Sequence, residues 1–455
     1  MKNMTLSAIA KACNGQLVGE TDGAEKEAAN VVLDSRLVNK DDLFIATIGE
    51  RTDGHKYIDD VFEKGALAVV CEKAPADPKG PYILVKNSFE SLKSIAKSYR
   101  MQLDIKVVGI TGSVGKTSTK EFISSVLAQK YAVLKTEGNF NNEVGLPLTV
   151  LKLRDNHEIA VLEMGISDFG EMNRLSEIAK PDICVITNIG QSHLENLGSR
   201  QGILRAKSEI FNYMNENGSV CINGDDDMLL TIESVKGKKP IKFGFHPSND
   251  IYATDIVSQG LFGSTCTIHV NHKEFRAEVP LPGEHMVRNA MAATAIGTLF
   301  DLTCEEIAAG IKAVQSVGGR SNIIRHSKYT IIDDCYNANP VSMKAAIDLL
   351  ATADTRKVAI LGDMNELGSK EKDFHREVGS YAAAAGIDVL VCIGTLSKAM
   401  YEGAFDANFA GNLYFYETRD ELIAALSSIL EENDTILVKA SHSLGFENIV
   451  KTLVS

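Results

Sequence analysis

The chain has 455 residues, of which 44% are hydrophobic and 24% are charged, and its formal net charge at pH 7 is −13. This length predicts about two to four domains, and the composition is typical of a soluble globular protein. The acidic balance argues against nucleic acid or an anionic membrane as the main partner, because both bind basic surfaces.

The cysteines and the N-terminal segment indicate the compartment. Eight cysteines are scattered without a C-x-x-C pair, and several lie in apolar strand-like segments. This pattern is typical of buried thiols in a reducing compartment and not of a disulfide framework or a zinc site. The N-terminus predicts an amphipathic helix over 6–13, and no apolar run of about 18 residues, the length needed to span a membrane, is present. We therefore expect a cytoplasmic protein without membrane insertion.

The first region, residues 1–103, alternates short strand-like and helix-like segments and predicts a small α/β domain. The segment VVLDSR (31–36) reads as a strand, and the prolines over 74–81 predict a loop. A helix over 89–101 then leads into the second region.

The second region, residues 104–317, opens with an apolar run, a glycine-rich turn and helix-forming residues. This order of strand, tight loop and helix is typical of a phosphate-binding loop, because Gly112 and Gly115 let backbone N–H groups approach a polyphosphate. Lys116 would place its charge on the β- and γ-phosphates, and the Thr117 hydroxyl would bind Mg²⁺. The pattern G-x-x-x-x-G-K-[ST] is not met in full, because Ile110 stands at its first glycine.

The remainder of the second region alternates strands and helices, which predicts a mostly parallel sheet covered on both faces. We expect a helix over 201–214 and an antiparallel insertion over 250–279, and the amide-rich loop 137–147 would lie near the γ-phosphate. Glu163 ends a predicted strand, and His193 follows the next one along the chain. Both would lie at the carboxyl edge of the sheet, where a carboxylate can hold Mg²⁺, although a solvated acid and a structural histidine are the ordinary alternatives.

The third region, residues 318–455, again alternates strands and helices and predicts a doubly wound α/β domain. Three polar loops each follow a predicted strand: DDCYNANP (333–340), LGDMNELG (361–368) and KASHSLGFE (439–447). Their shared position predicts a ligand-binding face.

Taken together, these motifs resemble the Mur ligase family of peptidoglycan synthesis, over essentially the whole chain. The matching segments are DSR, DLFIA and TDGHKYI in the first region; TGSVGKTSTKE, GNFNNEVGLP, LEMG, NIGQSHLENLGS, AKSEI and LPGEHMVRNAMAA in the second; and GGRS, DDCYNANPVSM and LGDMNELG in the third. The resemblance implies an α/β protein of three domains. They are a small uridine-nucleotide-binding domain (1–103), a central P-loop-type ATPase domain with a parallel sheet (104–317) and a Rossmann-like, doubly wound ligase domain (318–455).

The resemblance also implies roles for individual residues. Catalysis is expected from Lys116, Glu163, His193 and Lys207. ATP is expected to contact Gly112, Ser113, Val114, Gly115, Lys116, Thr117, Ser118, Asn289, Arg320 and Asp334, the last at the ribose. The peptide substrates are expected to contact Asp34, Ser35, Arg36, Asp53, Gly54, His55, Asn139, Asn142, Tyr336, Asn337 and Asn339. Mg²⁺ is expected to be held by Thr117, Glu163, His193 and a CO₂-derived carbamate on Lys207.

The activity that the resemblance implies is an ATP-dependent ligation that forms ADP and phosphate during the cytoplasmic synthesis of a peptidoglycan precursor. The carboxylate of UDP-N-acetylmuramoyl-tripeptide would be activated as an acyl phosphate and then attacked by the amine of D-alanyl-D-alanine. DDCYNANPVSM and LGDMNELG favour this dipeptide over a single amino acid. We expect a monomer, and the third residue of the tripeptide, lysine or diaminopimelate, stays open.

Four other interpretations compete with this one. A ligase that adds one amino acid would show a DNPR-like motif, which is absent, and a folylpolyglutamate synthase would lack the uridine-nucleotide domain. A GTPase switch is raised by NKDD (39–42), which fits N-K-x-D but precedes the phosphate loop instead of following it. A binding module without catalysis is opposed by the intact phosphate loop and strand-end acids. Ligation driven by ATP but not by GTP would separate these readings.

Overall fold

The structure is a computed structural model that describes residues 1–19, 24–50 and 52–454. Its described residues form three sheets flanked by helices, one sheet in each region of the chain. This arrangement confirms the predicted fold class. No helix among the described residues is long and apolar enough to cross a membrane.

The first sheet has five strands in the spatial order β1-β5-β4-β3-β2. The strands are β1 (Gln16–Val18), β2 (Val31–Val32), β3 (Leu43–Ile45), β4 (Ala68–Cys71) and β5 (Tyr82–Leu84), and the helices are α1 (Leu6–Ala12), α2 (Ile58–Glu63) and α3 (Ser88–Arg100). The prediction of a strand through the DSR segment was wrong, because Ser35–Leu37 is a 3₁₀ turn. Asp34 causes this turn, since its carboxylate accepts the backbone N–H of Arg36 at 2.9 Å.

The second sheet has nine strands in the order β14-β13-β12-β11-β10-β9-β6-β8-β7. The strands are β6 (Lys106–Thr111), β7 (Val133–Lys135), β8 (Ile159–Glu163), β9 (Ile183–Ile186), β10 (Ser219–Asn223), β11 (Ile241–Phe243), β12 (Ile251–Ser258), β13 (Ser264–Val270) and β14 (Lys273–Val279). The helices are α4 (Lys116–Leu127), α5 (Gly145–Leu151), α6 (Glu171–Ala179), α7 (Leu194–Leu197), α8 (Arg200–Ser208), α9 (Glu284–Leu299) and α10 (Cys304–Lys312). Because β6 lies between β8 and β9, all three in parallel, the chain after each strand emerges at one edge of the sheet.

Three predictions for the second region need correction. The helix predicted over 201–214 ends at Ser208, where the chain tightens into a 3₁₀ turn. The loop predicted over 137–147 ends early, because the Asn142 side chain accepts the N–H of Gly145 at 2.8 Å and starts α5 there. Pro147 is tolerated in the first turn, where backbone N–H groups have no helical partner. The antiparallel pairing predicted over 250–279 is confirmed for β12, β13 and β14, but these strands extend the main sheet instead of forming an insertion, since β12 pairs with β11.

The third sheet has six strands in the order β15-β16-β20-β17-β18-β19. The strands are β15 (Asn322–Arg325), β16 (Thr330–Asp333), β17 (Lys357–Gly362), β18 (Val389–Ile393), β19 (Asn412–Tyr416) and β20 (Thr435–Lys439), and the helices are α11 (Pro340–Ala351), α12 (Glu371–Ala384), α13 (Ser397–Asp406), α14 (Arg419–Ile429) and α15 (Glu447–Val454). The strands β16, β20 and β17 are parallel neighbours. The three polar loops of this region therefore emerge side by side, as predicted.

Candidate functional site

A cleft of about 530 Å³ lies between the second and third sheets. Its walls come from the loop between β6 and α4, the start of α9, the segment 319–321 and the chain after β16. The sequence-predicted residues that line it are Ser113, Val114, Gly115, Lys116, Ser118, Asn142, Glu163, His193, Asn289, Arg320, Asp334, Tyr336, Asn337 and Asn339. Residues far apart in the chain are therefore brought to one cavity.

The loop between β6 and α4 is braced by the chain that follows β9. Val114 N–H donates to Asn188 Oδ1 at 2.9 Å, and Thr187 Oγ1 donates to the carbonyl of Val114 at 2.6 Å. At Gly112 a Cβ atom would lie 1.9 Å from Thr187 Oγ1, so only glycine fits there. Gly115 has φ +80° and precedes the first residue of α4. The exposed N–H groups of a helix N-terminus held in this way form an anion site.

A buried carboxylate lies beside this loop at the end of β8. Glu163 is 1% exposed, and its two oxygens accept hydrogen bonds from Thr117 Oγ1 at 2.7 Å and from Asn141 Nδ2 at 2.8 Å. Lys116 Nζ donates to the carbonyl of Gly112 at 2.9 Å. Burial lowers the pKa of Lys116, and the charge of Glu163 opposes that shift. The carboxylate and hydroxyl oxygens are the hard ligands that Mg²⁺ prefers.

Lys207, on α8, is buried without a counter-charge. It is 1% exposed, and its side chain forms no hydrogen bond or ion pair with another described residue. Burial, and to a lesser degree the positive charge of Lys116, holds the pKa of Lys207 well below its ordinary value. Lys207 does not itself line the cleft. Its environment favours an uncharged amine, which is a nucleophile.

His193 lies on the cleft wall at a point where the second and third regions meet. Its Nδ1 atom lies 2.6 Å from Oε2 of Glu366. This contact lowers the pKa of Glu366 below its usual range. Within the described part of the chain, no three His, Cys, Asp or Glu side chains converge in the manner of a metal site.

The opposite wall is organised around Asp334. Lys439 is 3% exposed at its side chain, and its Nζ donates to Asp334 Oδ2 at 2.6 Å and to the carbonyl of Asn337 at 2.8 Å. The other carboxylate oxygen of Asp334 accepts the N–H of Ser321 at 2.8 Å. Asp334 is therefore held from two sides and presented to the cleft. Arg320 lies over the ring of Tyr336, with its guanidinium carbon 3.8 Å from the ring centroid.

The helix α9 supplies one end of the cleft. Asn289 is 7% exposed and accepts a hydrogen bond from Thr119 Oγ1 at 3.0 Å, while Met286 and Phe243 add apolar surface nearby. His285 also lines the cleft, and burial lowers its pKa. A planar base could lie against this mixture of apolar and amide groups.

Several cleft residues were missed by reading the sequence: Asn141, Asn188, His285, Arg288, Ser321 and Lys439. Asn141 belongs to the predicted amide-rich loop, whereas Asn139 of the same loop does not line the cleft. Lys439 opens a loop that the sequence had marked as polar. Two of these residues had a local signal in the sequence. Asn141 lies in the amide-rich loop, and Lys439 ends a predicted strand.

The predicted residues of the first region lie outside this cleft, at the edge of their own sheet. Asp34 follows β2, and its bonds to Arg36 lower the pKa of the carboxyl to about 2. Asp53 follows the neighbouring strand β3, precedes Gly54, and lies 2.7 Å from Nδ1 of His55. These residues form a second candidate surface, separate from the cleft.

Comparison with known families covers most of the chain. Residues 27–100 match "Mur ligase family, catalytic domain", residues 110–297 match "Mur ligase middle domain", and residues 319–442 match "Mur ligase, glutamate ligase domain". These matches include the loop after β6 and the loop after β16.

Individual relatives are similar over nearly their full length. The UDP-N-acetylmuramoyl-tripeptide–D-alanyl-D-alanine ligase of Bacillus subtilis (strain 168) is 41% identical over 429 residues, which cover 93% of this chain and 93% of the relative. A crystal structure of MurF from Acinetobacter baumannii aligns with TM-score 0.89 and 31% identity, covering 99% of this chain and 98% of that one. The structure of MurF ligase from Thermotoga maritima in complex with ADP aligns with TM-score 0.79 and 29% identity, covering 93% and 96%.

Proposed function

The chain belongs to the Mur ligase family, and we propose that it joins D-alanyl-D-alanine to UDP-N-acetylmuramoyl-tripeptide while converting ATP to ADP and phosphate. The observation that carries this proposal is the cleft in which the loop after β6 faces the loop after β16. The names of the relatives supply the two peptide substrates.

The ATP site that we propose uses both walls of the cleft. The residues from Gly112 to Ser118 would hold the phosphates through backbone N–H groups, and Lys116 would offset their charge. Asn289 would meet the adenine and Asp334 the ribose, with Arg320 reaching the phosphates from the third region. Support comes from the shared cleft and from the complex of the Thermotoga maritima relative with ADP.

The magnesium site that we propose is centred on Glu163. Its buried oxygens already bind Thr117 Oγ1 and Asn141 Nδ2, so a hydroxyl and a carboxylate ligand lie together. His193 would add a ring nitrogen. Mg²⁺, when bound, would supply charge neutralisation for the phosphates and orient them.

The second anionic ligand that we propose, beside Glu163, is a carbamate on Lys207. A protonated amine there would repel a cation, and burial favours the neutral amine, which can add to CO₂. The resulting carbamate is negatively charged and would provide a further oxygen ligand. Such a ligand is needed because no three His, Cys, Asp or Glu side chains converge on a metal site among the described residues.

The reaction follows from the chemistry of its substrates. A carboxylate does not form an amide with an amine at neutral pH, because oxide or hydroxide is a poor leaving group. In the first step, the terminal carboxylate of the tripeptide attacks the γ-phosphate, and Lys116 with the N–H groups of α4 offsets the charge that develops. In the second step, the amine of D-alanyl-D-alanine attacks the acyl carbon, and phosphate leaves. Water would destroy the acyl phosphate, so we expect the walls of the cleft to close during turnover.

The two peptide substrates would use the separate surface of the first region together with part of the cleft. The uridine nucleotide would bind at 34–36 and 53–55 on the first sheet, and the peptide would extend past Asn139 and Asn142. Tyr336, Asn337 and Asn339 would receive the dipeptide. The domain limits at 103/104 and 317/318, a monomeric state and a cytoplasmic location also remain proposals.

Phosphate release tests this function directly. The full chain with Mg²⁺, ATP and bicarbonate is given UDP-N-acetylmuramoyl-tripeptides ending in lysine or diaminopimelate, each with D-alanyl-D-alanine, D-alanine or L-glutamate. We expect phosphate release only with the dipeptide and with ATP, and not with GTP. Equal release with a single amino acid, or with GTP, would contradict the proposal.

A further inference from the structure

The LGDMNELG segment does not line the cleft and has no role in the reaction proposed there, but it contacts His193 on the cleft wall. Glu366, in this segment of the third region, contacts His193 of the second region, with 2.6 Å between Oε2 and Nδ1. The nearby 3₁₀ turn Gly368–Lys370 contacts α7, the helix that begins directly after His193. The contact therefore belongs to an interface between the two regions.

Both residues of this contact have a left-handed backbone conformation, with φ +60° at His193 and φ +63° at Glu366. Histidine enters this region more readily than most residues, whereas glutamate does so rarely. Such conformations persist where the surrounding structure fixes them, and they cluster at functional sites. The two side chains meet across the boundary between the second and third regions.

The loop that carries Glu366 is fixed by its own hydrogen bonds. The N–H of Met364 donates to Nε2 of His375 at 2.9 Å, and the N–H of Asn365 donates to Ser441 Oγ at 2.9 Å. The Asn365 side chain donates to Ser443 Oγ at 2.9 Å. Because the loop is fastened to α12 and to the chain after β20, it presents Glu366 as part of the third region.

The contact also determines which nitrogen of His193 faces the cleft. Nδ1 is buried from solvent, and its polar contact is the carboxylate of Glu366, whose Oε2 lies 2.6 Å away at an angle outside that of a regular hydrogen bond. Nε2 is then the nitrogen left for the cleft that His193 lines. A histidine that holds a cation through one nitrogen commonly has its other nitrogen against a carboxylate, which fixes the ring.

We propose that Glu366 is a positioning residue that holds His193 from the third region, so that docking of this region and orientation of the His193 ring toward the cleft occur together. This inference rests on the proposed function only in that His193 is taken to be a ligand of Mg²⁺. Through Glu366, the LGDMNELG segment then links docking of the third region against the second to the orientation of the His193 ring beside the proposed phosphate site.

The test uses the full chain with Glu366→Ala, Glu366→Gln and a matched control, Glu195→Ala. Glu195 is an exposed carboxylate on α7 that makes no ion pair or hydrogen bond with another described residue. The first measurement is the ¹⁵N NMR signal of the His193 ring in histidine-labelled protein without nucleotide, assigned by its loss in His193→Gln. The second is the radius of gyration from small-angle X-ray scattering of the same samples.

We expect Glu366→Ala to move the His193 ring signals and to increase the radius of gyration, with no change in Glu195→Ala. Glu366→Gln keeps an acceptor oxygen and should resemble the wild type more than Glu366→Ala does. In the ligation assay, Glu366→Ala should raise the half-saturating Mg²⁺ concentration about tenfold to a hundredfold, as for other outer partners of a metal-binding histidine.

The proposal is overturned if Glu366→Ala leaves the His193 signals unchanged, if Glu195→Ala moves them equally, or if Glu366→Gln is no better than Glu366→Ala. The spectroscopic and scattering measurements require no substrate. They therefore succeed or fail independently of the peptide specificity proposed above.

Discussion

Replacing Lys207 by methionine removes a buried amine that has no partner among the described residues. Methionine is similar in length and apolar, so the substitution keeps most of the packing and discards the cost of desolvating an ammonium. In CO₂-free buffer we therefore expect Lys207→Met to be more stable than the wild type at neutral pH. With CO₂ present we expect it to be inactive in ligation, because methionine cannot form a carbamate.

The sign of the pH dependence follows from the pKa of Lys207, which burial holds well below its ordinary value. The unfolded chain binds a proton at this lysine over a pH range in which the folded chain does not. Folding is therefore favoured as the pH rises through this range, by about 1.4 kcal/mol per pH unit, up to the unfolded pKa of about 10.4. The wild type should therefore gain stability relative to Lys207→Met as the pH rises from 7 to 9.5, because Lys207→Met has no proton to release at this position.

The assay is differential scanning calorimetry of both proteins in CO₂-free buffer from pH 7 to pH 9.5. Lys120→Met is the matched control, because Lys120 is 2% exposed but donates to the carbonyl of Thr136 at 2.7 Å and lies 3.1 Å from Glu121. Losing these charged hydrogen bonds should destabilise the protein by about 2 to 3 kcal/mol. If Lys207→Met is less stable than the wild type at pH 7, and the two proteins show parallel pH dependence, the reasoning about this buried amine is refuted.

Two other substitutions test the walls of the cleft. Gly112→Ala would place a Cβ atom 1.9 Å from Thr187 Oγ1 and displace the phosphate loop. The value of kcat/KM for ATP should therefore fall about a hundredfold, while calorimetry still shows a folded protein. Unchanged kinetics would contradict the role of this glycine. Lys439→Met leaves the carboxylate of Asp334 without the ammonium that lies 2.6 Å away. The free energy of unfolding of the third region should fall by about 3 to 5 kcal/mol, and KM for ATP should rise. An unaltered KM would show that the position of Asp334 does not depend on this lysine.

The parts of the fold that could be predicted from sequence are those with long or distinctive patterns. The elements β6, α4 and β8 were identified because an apolar strand, a glycine-rich turn and a helix leave a local signature. Strands of three residues, such as β1 and β7, were missed because so short a segment carries too little periodicity. The segment at Asp34 was predicted as a strand because β-branched residues flank it. It forms a turn because the Asp34 side chain accepts a hydrogen bond from the backbone N–H of Arg36.

The site shows the same division between local and distant information. Lys116 and Glu163 could be proposed from their places beside a strand end. The bond between Lys439 and Asp334 joins positions 105 residues apart and depends on the pairing of β16 with β20, which no local pattern reveals. The contact between His193 and Glu366 depends in addition on how two regions dock against each other.

The measurement that tests the central claim most directly follows the carboxylate oxygens of the tripeptide. UDP-N-acetylmuramoyl-tripeptide labelled with ¹⁸O at its terminal carboxylate is incubated with the full chain, Mg²⁺, ATP and D-alanyl-D-alanine, and the released phosphate is examined by mass spectrometry. An acyl phosphate predicts one ¹⁸O atom in each phosphate released and one in each amide formed, since the bridging oxygen leaves with phosphorus. Phosphate without ¹⁸O, or label that leaves in AMP, would contradict activation of the carboxylate at the γ-phosphate.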